Sequence, residues 1–187
     1  MLSNLNYNCD FIGKYDDIKT REGLTRYFID NLPRDKKIVV LCVGSDRSTG
    51  DSLGPLVGSF ISGDSIILKS NVEIWGTLEN PLQAKNINKI IRKLEKEKDD
   101  ICTLVVDASL DSYENVGNIR VSKGPVQPKS WVRKNILQVG DFYINMVVNI
   151  SGFKELQVLQ STKLSIVLKG ADVIADSIVE AISVIKK

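Results

Sequence analysis

Two short apolar runs constrain the fold of this chain more than any other feature. The first is KIVVLCVG, residues Lys37–Gly44, and the second is ICTLVVD, residues Ile101–Asp107. A short, continuous apolar run is typical of a strand that is covered on both faces, as in a parallel sheet. Because helix-like segments lie between the two runs, the sequence predicts a layered α/β domain with a parallel or mixed sheet and right-handed crossovers.

Apolar periodicity, helix caps and helix breakers predict the remaining elements. The expected helices are Thr20–Asn31 with Thr20 as its cap, LGPLVGSFIS at residues 53–62, a helix that follows Asn80 and opens at Pro81, and a closing amphipathic helix over Lys163–Lys187. The expected further strands are Ile66–Leu68, Val72–Thr77 and Phe142–Ile150, with an antiparallel excursion over Asn118–Val139. Residues 1–19 are expected to form a loosely held leader, and residues 20–187 a single domain.

The composition excludes several classes of function. The chain of 187 residues contains no histidine, so a Ser-His-Asp triad, a Cys-His dyad and a histidine-ligated zinc site are all impossible. Twenty-five Lys and Arg residues against 23 Asp and Glu give a formal charge of only +2, which provides no global signal for nucleic-acid binding. Catalysis by this chain would therefore depend on carboxylates, Lys, Cys, Tyr, Ser or a cofactor.

The cysteines and the absence of long apolar segments indicate a location. Cys9, Cys42 and Cys102 are odd in number, and Cys42 and Cys102 lie inside strand-like apolar runs, which is typical of buried thiols in a reducing compartment. No segment approaches the roughly 18 apolar residues of a membrane span. We therefore expect a cytoplasmic protein without a membrane partner, and a homo-oligomer is compatible with the sequence.

Aspartates stand where the two apolar runs end. Asp46 and Asp51 follow the first run, and Asp107 is the last residue of the second. In an open α/β sheet, catalytic groups collect at the carboxyl ends of the strands, so Asp51 and Asp107 can face each other across one crevice if their strands are neighbours. A carboxylic acid beside a carboxylate is a general acid and base pair that can activate water on an amide. Alternatively, Asp51 is only a helix cap and Asp107 only forms an Asx-turn.

The segments around these aspartates, and several others, resemble those of known protein families. GSDRSTGDSLGP (44–55) with VVDAS (105–109) is similar to the paired aspartate motifs of the spore germination protease. GTLENP, PVQP, VGDFYINMVVNISGF and VLQSTKLSIVLKGADVIADSI resemble the YyaC-type sporulation proteins from about residue 20 onward. The layout also resembles that of the hydrogenase-maturation proteases. The resemblance implies a three-layer α/β/α sandwich with a mostly parallel, mixed sheet, and it implies that Asp51 and Asp107 are the catalytic residues.

The resemblance also implies an activity and a setting. The protein is expected to be a sporulation-associated peptidase of the forespore or spore core that hydrolyses a protein or peptide substrate. The residues themselves suggest substrate contacts at Asp46 and Arg47, which could instead form an ion pair within the loop, and at Glu79, which could instead be a solvated acid in the first turn of a helix. Lys129 lies in a basic stretch that could bind an acidic peptide or only form an exposed charged face; its other cations are Arg120, Lys123, Arg133 and Lys134. The alternative is a non-catalytic spore protein that keeps the fold and binds a partner.

A metal is not expected to be required. The nickel-recognising carboxylates of the hydrogenase-maturation proteases correspond to Asp51 and Asp107, but their histidine partner has no counterpart here. Oxygen ligands alone favour Mg²⁺ or Ca²⁺ over nickel. A weaker alternative is therefore a Mg²⁺ or Ca²⁺ site formed by Asp46, Asp51, Asp107 and Glu79.

Overall fold

A computed structural model describes residues 9–83, 85–125 and 138–186. The strands are β1 (Phe11–Lys14), β2 (Lys37–Cys42), β3 (Val72–Trp75), β4 (Ile101–Asp111), β5 (Asn118–Lys123) and β6 (Phe142–Ile150). The helices are α1 (Ile18–Asn31), α2 (Leu53–Ser62), α3 (Ser65–Lys69), α4 (Ile87–Leu94), α5 (Glu155–Gln160) and α6 (Leu164–Ile185), with short 3-10 turns at Gly50–Ser52 and Tyr113–Asn115.

The described strands form one mixed sheet in the order β1-β5-β6-β4-β2-β3. The pairs β3–β2, β2–β4 and β4–β6 are parallel, whereas β5 is antiparallel to both β6 and β1. Among the described strands, β5 alone therefore runs against the others. The sheet is mostly parallel and carries helices on both faces, which confirms the predicted α/β sandwich.

Alternate residues of β2 enter two different cores, which explains why its sequence is a continuous apolar run. Ile38, Val40 and Cys42 belong to the larger core, which α1, α2 and α6 cover. Val39 and Leu41 belong to the smaller core, which α4 covers with residues such as Ile87 and Ile91. A strand covered on both faces has no solvent-facing positions to fill with polar residues.

Several predicted elements are confirmed. The strands over Lys37–Cys42, Val72–Trp75 and Phe142–Ile150 and the helix over Leu53–Ser62 lie where the sequence places them. The closing helix is α6, and β5 provides the antiparallel excursion, although residues 126–137 of that predicted segment lie outside the described part of the chain. None of the helices among the described residues is long and apolar enough to cross a membrane.

The predicted strand Ile66–Leu68 is wrong, because these residues lie in helix α3. The side chain of Asp64 accepts a hydrogen bond from the backbone N–H of Ile66 at 2.7 Å and caps the helix. An N-cap satisfies one of the otherwise unpaired amides of the first helical turn. The local cap therefore outweighs the β propensity of the two isoleucines.

The helix predicted to open at Pro81 begins instead at Ile87. Leu82 is 1% exposed and forms an isolated parallel bridge with Val43, while its carbonyl accepts a hydrogen bond from Gly44 N at 3.0 Å. The segment around Leu82 thus extends the sheet edge, and this tertiary pairing overrides the capping signal of Asn80.

The N-terminal helix begins earlier than predicted. Asp17, rather than Thr20, caps α1 by accepting a hydrogen bond from Lys19 N at 3.0 Å, and Thr20 is buried inside the helix. Phe11–Lys14, within the segment expected as a leader, forms β1 and pairs with β5.

Candidate carboxylate site

The site lies at the point where the chain switches from building the sheet on one side of β2 to building it on the other side. The chain leaves β2 for β3 on one side and returns to the other side of β2 for β4, so β2 and β4 flank a topological switch point. Cys42, the last residue of β2, pairs with Val106, and Val43 N donates to Val106 O at 2.8 Å. Strand β4 does not end at Asp107 as predicted but continues to Asp111, because its later residues pair with β6. Ligands of open α/β sheets bind in the crevice at such a switch point. Strand β2, which precedes the loop to Asp51, and strand β4, which carries Asp107, are therefore neighbours, so the condition for the two aspartates to face one crevice is met.

Hydrogen bonds to both carboxyl oxygens hold Asp107 inside the sheet. Its side chain lies on β4, and the residue is 5% exposed. The backbone N–H of Ala108 donates to Oδ1 at 2.9 Å, and the hydroxyl of Tyr143 on β6 donates to Oδ2 at 3.2 Å. Donors aimed at both oxygens orient the carboxyl group and stabilise a negative charge on it.

Asp51 lies in the 3-10 turn that leads into α2, and this turn packs against β4. The Asp51 carbonyl accepts a hydrogen bond from Ser45 N at 2.9 Å, which ties the turn to the loop after β2. Gly44 has a φ of +150°, and a Cβ atom there would lie 2.0 Å from the Asp51 carbonyl oxygen. The close approach of the turn to the end of β2 therefore depends on glycine at this position.

Helix α2 docks on the strand ends through two further glycines. A Cβ atom on Gly54 would lie 2.2 Å from Val43 O, and one on Gly58 would lie 1.9 Å from Gly76 O. Both distances are shorter than any non-bonded contact between a Cβ and an oxygen atom, so the helix can lie this close to the backbone only because the glycines lack side chains. This docking fixes the start of α2, and with it the turn that carries Asp51.

The other predicted site residues lie outside this buried centre. Asp46 and Arg47 are exposed in the loop after β2, and Glu79 is exposed in the loop after β3. Lys129 lies outside the described residues. Within ranges 9–83, 85–125 and 138–186, no three Asp, Glu or Cys side chains are grouped as a metal site requires. The alternative cation site of Asp46, Asp51, Asp107 and Glu79 is therefore not assembled.

A row of polar side chains continues from Asp107 along the same face of the sheet. Ser109 Oγ donates to Asn145 Oδ1 at 2.8 Å, and Arg120 Nη1 of β5 lies 2.7 Å from Asp111 Oδ2. Burial acts to raise the pKa of Asp111, but hydrogen bonding and charge from Arg120, with the Ser112 amide, outweigh it and lower that pKa.

Sequence reasoning missed Tyr143 and Asn145. A signal was present in the chain, because Asp107, Ser109 and Asp111 alternate with apolar residues, as do Tyr143 and Asn145. Such alternation marks one polar face of a strand even where the run as a whole is apolar.

The fold and the site define a class, that of α/β sandwich proteins with a buried carboxylate at the switch point of a mostly parallel sheet. The chain belongs to the family described as "Protein of unknown function (DUF1256)", whose model matches residues 12–177. It is 41% identical over 143 residues to the "Uncharacterized protein YyaC" of Bacillus subtilis (strain 168). The matched region covers 76% of this chain and 68% of the relative.

Proposed function

We propose that this protein is an aspartate-dependent peptidase that cleaves a protein substrate with Asp51 and Asp107. The observation that carries the proposal is the position of Asp107, which is buried at the switch point with hydrogen-bond donors on both carboxyl oxygens. The turn that carries Asp51 packs against the same strand. An oriented carboxylate beside a second carboxyl group is the arrangement that water activation needs.

The chemistry divides between the two groups. The Ala108 amide and the Tyr143 hydroxyl orient the carboxyl group of Asp107, to which we assign the role of the base that takes a proton from water. The water oxygen then attacks the peptide carbonyl carbon. Asp51 is assigned as the acid that gives a proton to the departing amide nitrogen, and transfer of the proton from Asp107 to Asp51 then restores the starting state of the pair.

The biological setting of the proposal comes from resemblance. The motifs around Asp51 and Asp107 are similar to those of the spore germination protease, and the chain belongs to the same family as YyaC. We infer that the substrate is a protein of the spore, and that cleavage takes place in the forespore or spore core during sporulation or germination.

The test is digestion of small acid-soluble spore proteins and of spore extract by the wild type, Asp51→Asn and Asp107→Asn. We expect the wild type to produce discrete fragments and each variant to be at least about a hundredfold slower, because an amide side chain neither accepts nor supplies the proton. Fragments are quantified by mass spectrometry, with and without added Mg²⁺ or Ca²⁺.

Asp35→Asn is the matched control, because Asp35 is exposed in the loop before β2. Thermal melts of all four proteins establish that each variant is folded. Cleavage that persists in folded Asp51→Asn or Asp107→Asn would contradict the catalytic assignment of that residue.

A second candidate function is a non-catalytic spore protein that binds a partner. It is favoured by the fact that Asp107 is almost completely buried and already accepts two hydrogen bonds within the fold, as a structural carboxylate does. On this alternative the wild type cleaves none of the substrates, and Asp107→Asn lowers the melting temperature.

A further inference from the structure

A cavity of about 440 Å³ opens beside the loop that carries Asp51, on the side of α2 and α6. It lies between the loop after β2, the first turns of α2, the loop after β3 and the junction of α5 with α6. The described residues that line it are Asp46, Arg47, Ser48, Thr49, Ser52, Leu56, Leu78, Gln160, Leu164 and Leu168. Four leucines and a cluster of polar groups are the mixture typical of a site for an organic ligand.

Ser48 provides the first indication of a ligand. The residue is 9% exposed, and its Oγ is buried with no hydrogen-bond partner among the described residues. The neighbouring Ser52 is different, because its Oγ donates to Thr49 O at 2.7 Å. Folded proteins rarely leave a buried hydroxyl unpaired, and Ser48 is among the residues that line the cavity, so a ligand bound in the cavity could pair with this hydroxyl.

The leucines provide the second indication. Leu164 and Leu168 stand one helical turn apart on α6 and are 53% and 37% exposed, whereas Leu56 of α2 is 7% exposed. Together with Leu78 they form the apolar wall of the cavity, whose other lining residues include polar side chains of the loop after β2. An aliphatic side chain placed against this wall would remove apolar surface from water.

The charges at the rim restrict the ligand further. Asp46 and Arg47 are exposed next to each other, and neither forms an ion pair with another described residue. One charge of each sign complements a segment that carries a base on one side of its aliphatic residue and an acid on the other.

We propose that this cavity is a subsite for an extended peptide segment, in which a leucine-sized side chain packs on Leu56, Leu164 and Leu168 while the backbone hydrogen-bonds to Ser48 Oγ. Charged residues of opposite sign flank that side chain and pair with Asp46 and Arg47. Placing this segment in the protein substrate rests on the proposed function, because the cavity and Asp51 share one loop. The binding itself does not require cleavage.

The experiment measures binding of fluorescein-labelled heptapeptides to the full chain carrying Asp51→Asn, by fluorescence anisotropy. The peptides are Gly-Gly-Lys-Leu-Glu-Gly-Gly, its charge-reversed form Gly-Gly-Glu-Leu-Lys-Gly-Gly, and versions of each with alanine in place of leucine. We expect one charge order to bind more tightly than the other, and the alanine versions to bind at least about tenfold more weakly. Equal affinity for the leucine and alanine peptides would overturn the proposal.

Two further variants in the same background test the assigned contacts. Ser48→Ala is expected to weaken binding about two- to tenfold without lowering the melting temperature, because the hydroxyl has no partner within the described fold to lose. Leu164→Asp is expected to weaken binding at least about tenfold, whereas Leu156→Asp, at an exposed leucine outside the cavity lining, leaves it unchanged. A Ser48→Ala variant that melts at a lower temperature and binds like its parent would show that the serine is only structural.

The outcomes separate this subsite from the proposed catalysis. Peptide binding without cleavage of any protein by the wild type supports the subsite and contradicts the peptidase. Cleavage that is lost in Asp51→Asn, with no leucine-dependent peptide binding, supports the peptidase and overturns the subsite.

Discussion

At the scale of single residues, the contact between Tyr143 and Asp107 holds the candidate site in place. Both residues are buried, at 6% and 5% exposure, and they come from neighbouring strands. A carboxyl group in such a position is tolerated only when its oxygens find hydrogen-bond donors. The position of Asp107 at the end of an apolar run was visible in the sequence, but the tyrosine was not. Which residue of β6 lies beside Asp107 depends on strand register, and register is fixed only when the sheet assembles.

Replacing Tyr143 with phenylalanine is expected to weaken the fold and the activity together. The variant removes the donor to Asp107 Oδ2 and leaves that oxygen with one partner fewer, so the free energy of unfolding should fall by about 1–3 kcal/mol. Urea unfolding at neutral pH measures the change, and digestion of spore extract measures the activity. Tyr113→Phe serves as the control, because Tyr113 is 84% exposed. Equal losses in the two variants would contradict the assigned role of Tyr143.

The three thiols are expected to differ in reactivity. Burial raises the pKa of Cys42 and, with the charge of Asp141, raises that of Cys102 to about 12, and both residues are at most 3% exposed. Burial also raises the pKa of Cys9, but this thiol is only half-buried. Because the thiolate is the reactive form, Cys9 should react with Ellman's reagent first, and all three only after unfolding. Rapid modification of Cys42 in the native protein would show that its strand opens.

At the scale of elements, the docking of α2 decides where the site can form. The helix approaches the ends of β2 and β3 until glycine alone fits at Gly54 and Gly58. The start of α2 follows the turn with Asp51 directly, so an error in this docking would displace the carboxylate. The LGPLVGSF segment predicted the helix, but only the packed structure shows that its glycines lie against strand backbone rather than solvent.

Gly58→Ala is expected to lower the free energy of unfolding by about 3 kcal/mol or more, since the new methyl group would lie 1.9 Å from Gly76 O. The matched substitution is Gly63→Ala. Gly63 follows α2 with a φ of −94°, and a Cβ atom there meets nothing within 4 Å. Chemical denaturation should therefore show Gly63→Ala to be neutral or up to about 1 kcal/mol more stable. Similar stability of the two variants would refute the close docking of α2.

Elements whose residue pattern fits one environment were predictable, whereas two segments with competing signals were not. Strands β2 and β4 and helix α6 carry patterns that only one environment satisfies. The segment Ile66–Leu68 is too short for periodicity to distinguish strand from helix, and the Asp64 cap decides the outcome. The region after Asn80 has a clear cap and a proline, yet the bridge between Leu82 and Val43 determines its conformation. Local signals were thus overridden where a long-range contact competed with them.

At the scale of the whole molecule, ion pairs make the stability depend on pH. Burial acts to raise the pKa values of Glu73 and Asp111, but hydrogen bonds and charge from Lys37 and Arg120, respectively, outweigh it and lower both. A carboxyl group whose pKa is lower in the folded state stabilises the fold above its unfolded pKa, and this contribution is lost as the pH falls through the folded pKa. Asp176 acts in the opposite sense, because burial raises its pKa despite Arg21 nearby.

The free energy of unfolding is therefore expected to decrease as the pH falls below about 4, the range in which unfolded carboxylates take up protons. Urea titrations between pH 7 and pH 3 measure the decrease. Glu73→Gln and Asp111→Asn should each make the free energy of unfolding depend less steeply on pH, because the amide does not titrate. Glu95→Gln, at an exposed position, provides the comparison. An equally steep decrease in the free energy of unfolding at low pH in all of these proteins would contradict the role of the two ion pairs.

The first and last helices of the described chain, α1 and α6, lie side by side over one face of the sheet. Ser177 Oγ donates to Arg21 O across 156 residues of sequence, and Thr25 Oγ1 donates to Glu180. The strands that these helices cover are all synthesised before α6. During synthesis all strands of the sheet therefore precede α6, which is one of the three helices that cover this face. Folding is expected to finish only after α6 has left the exit tunnel, and until then the apolar strands are available to chaperones.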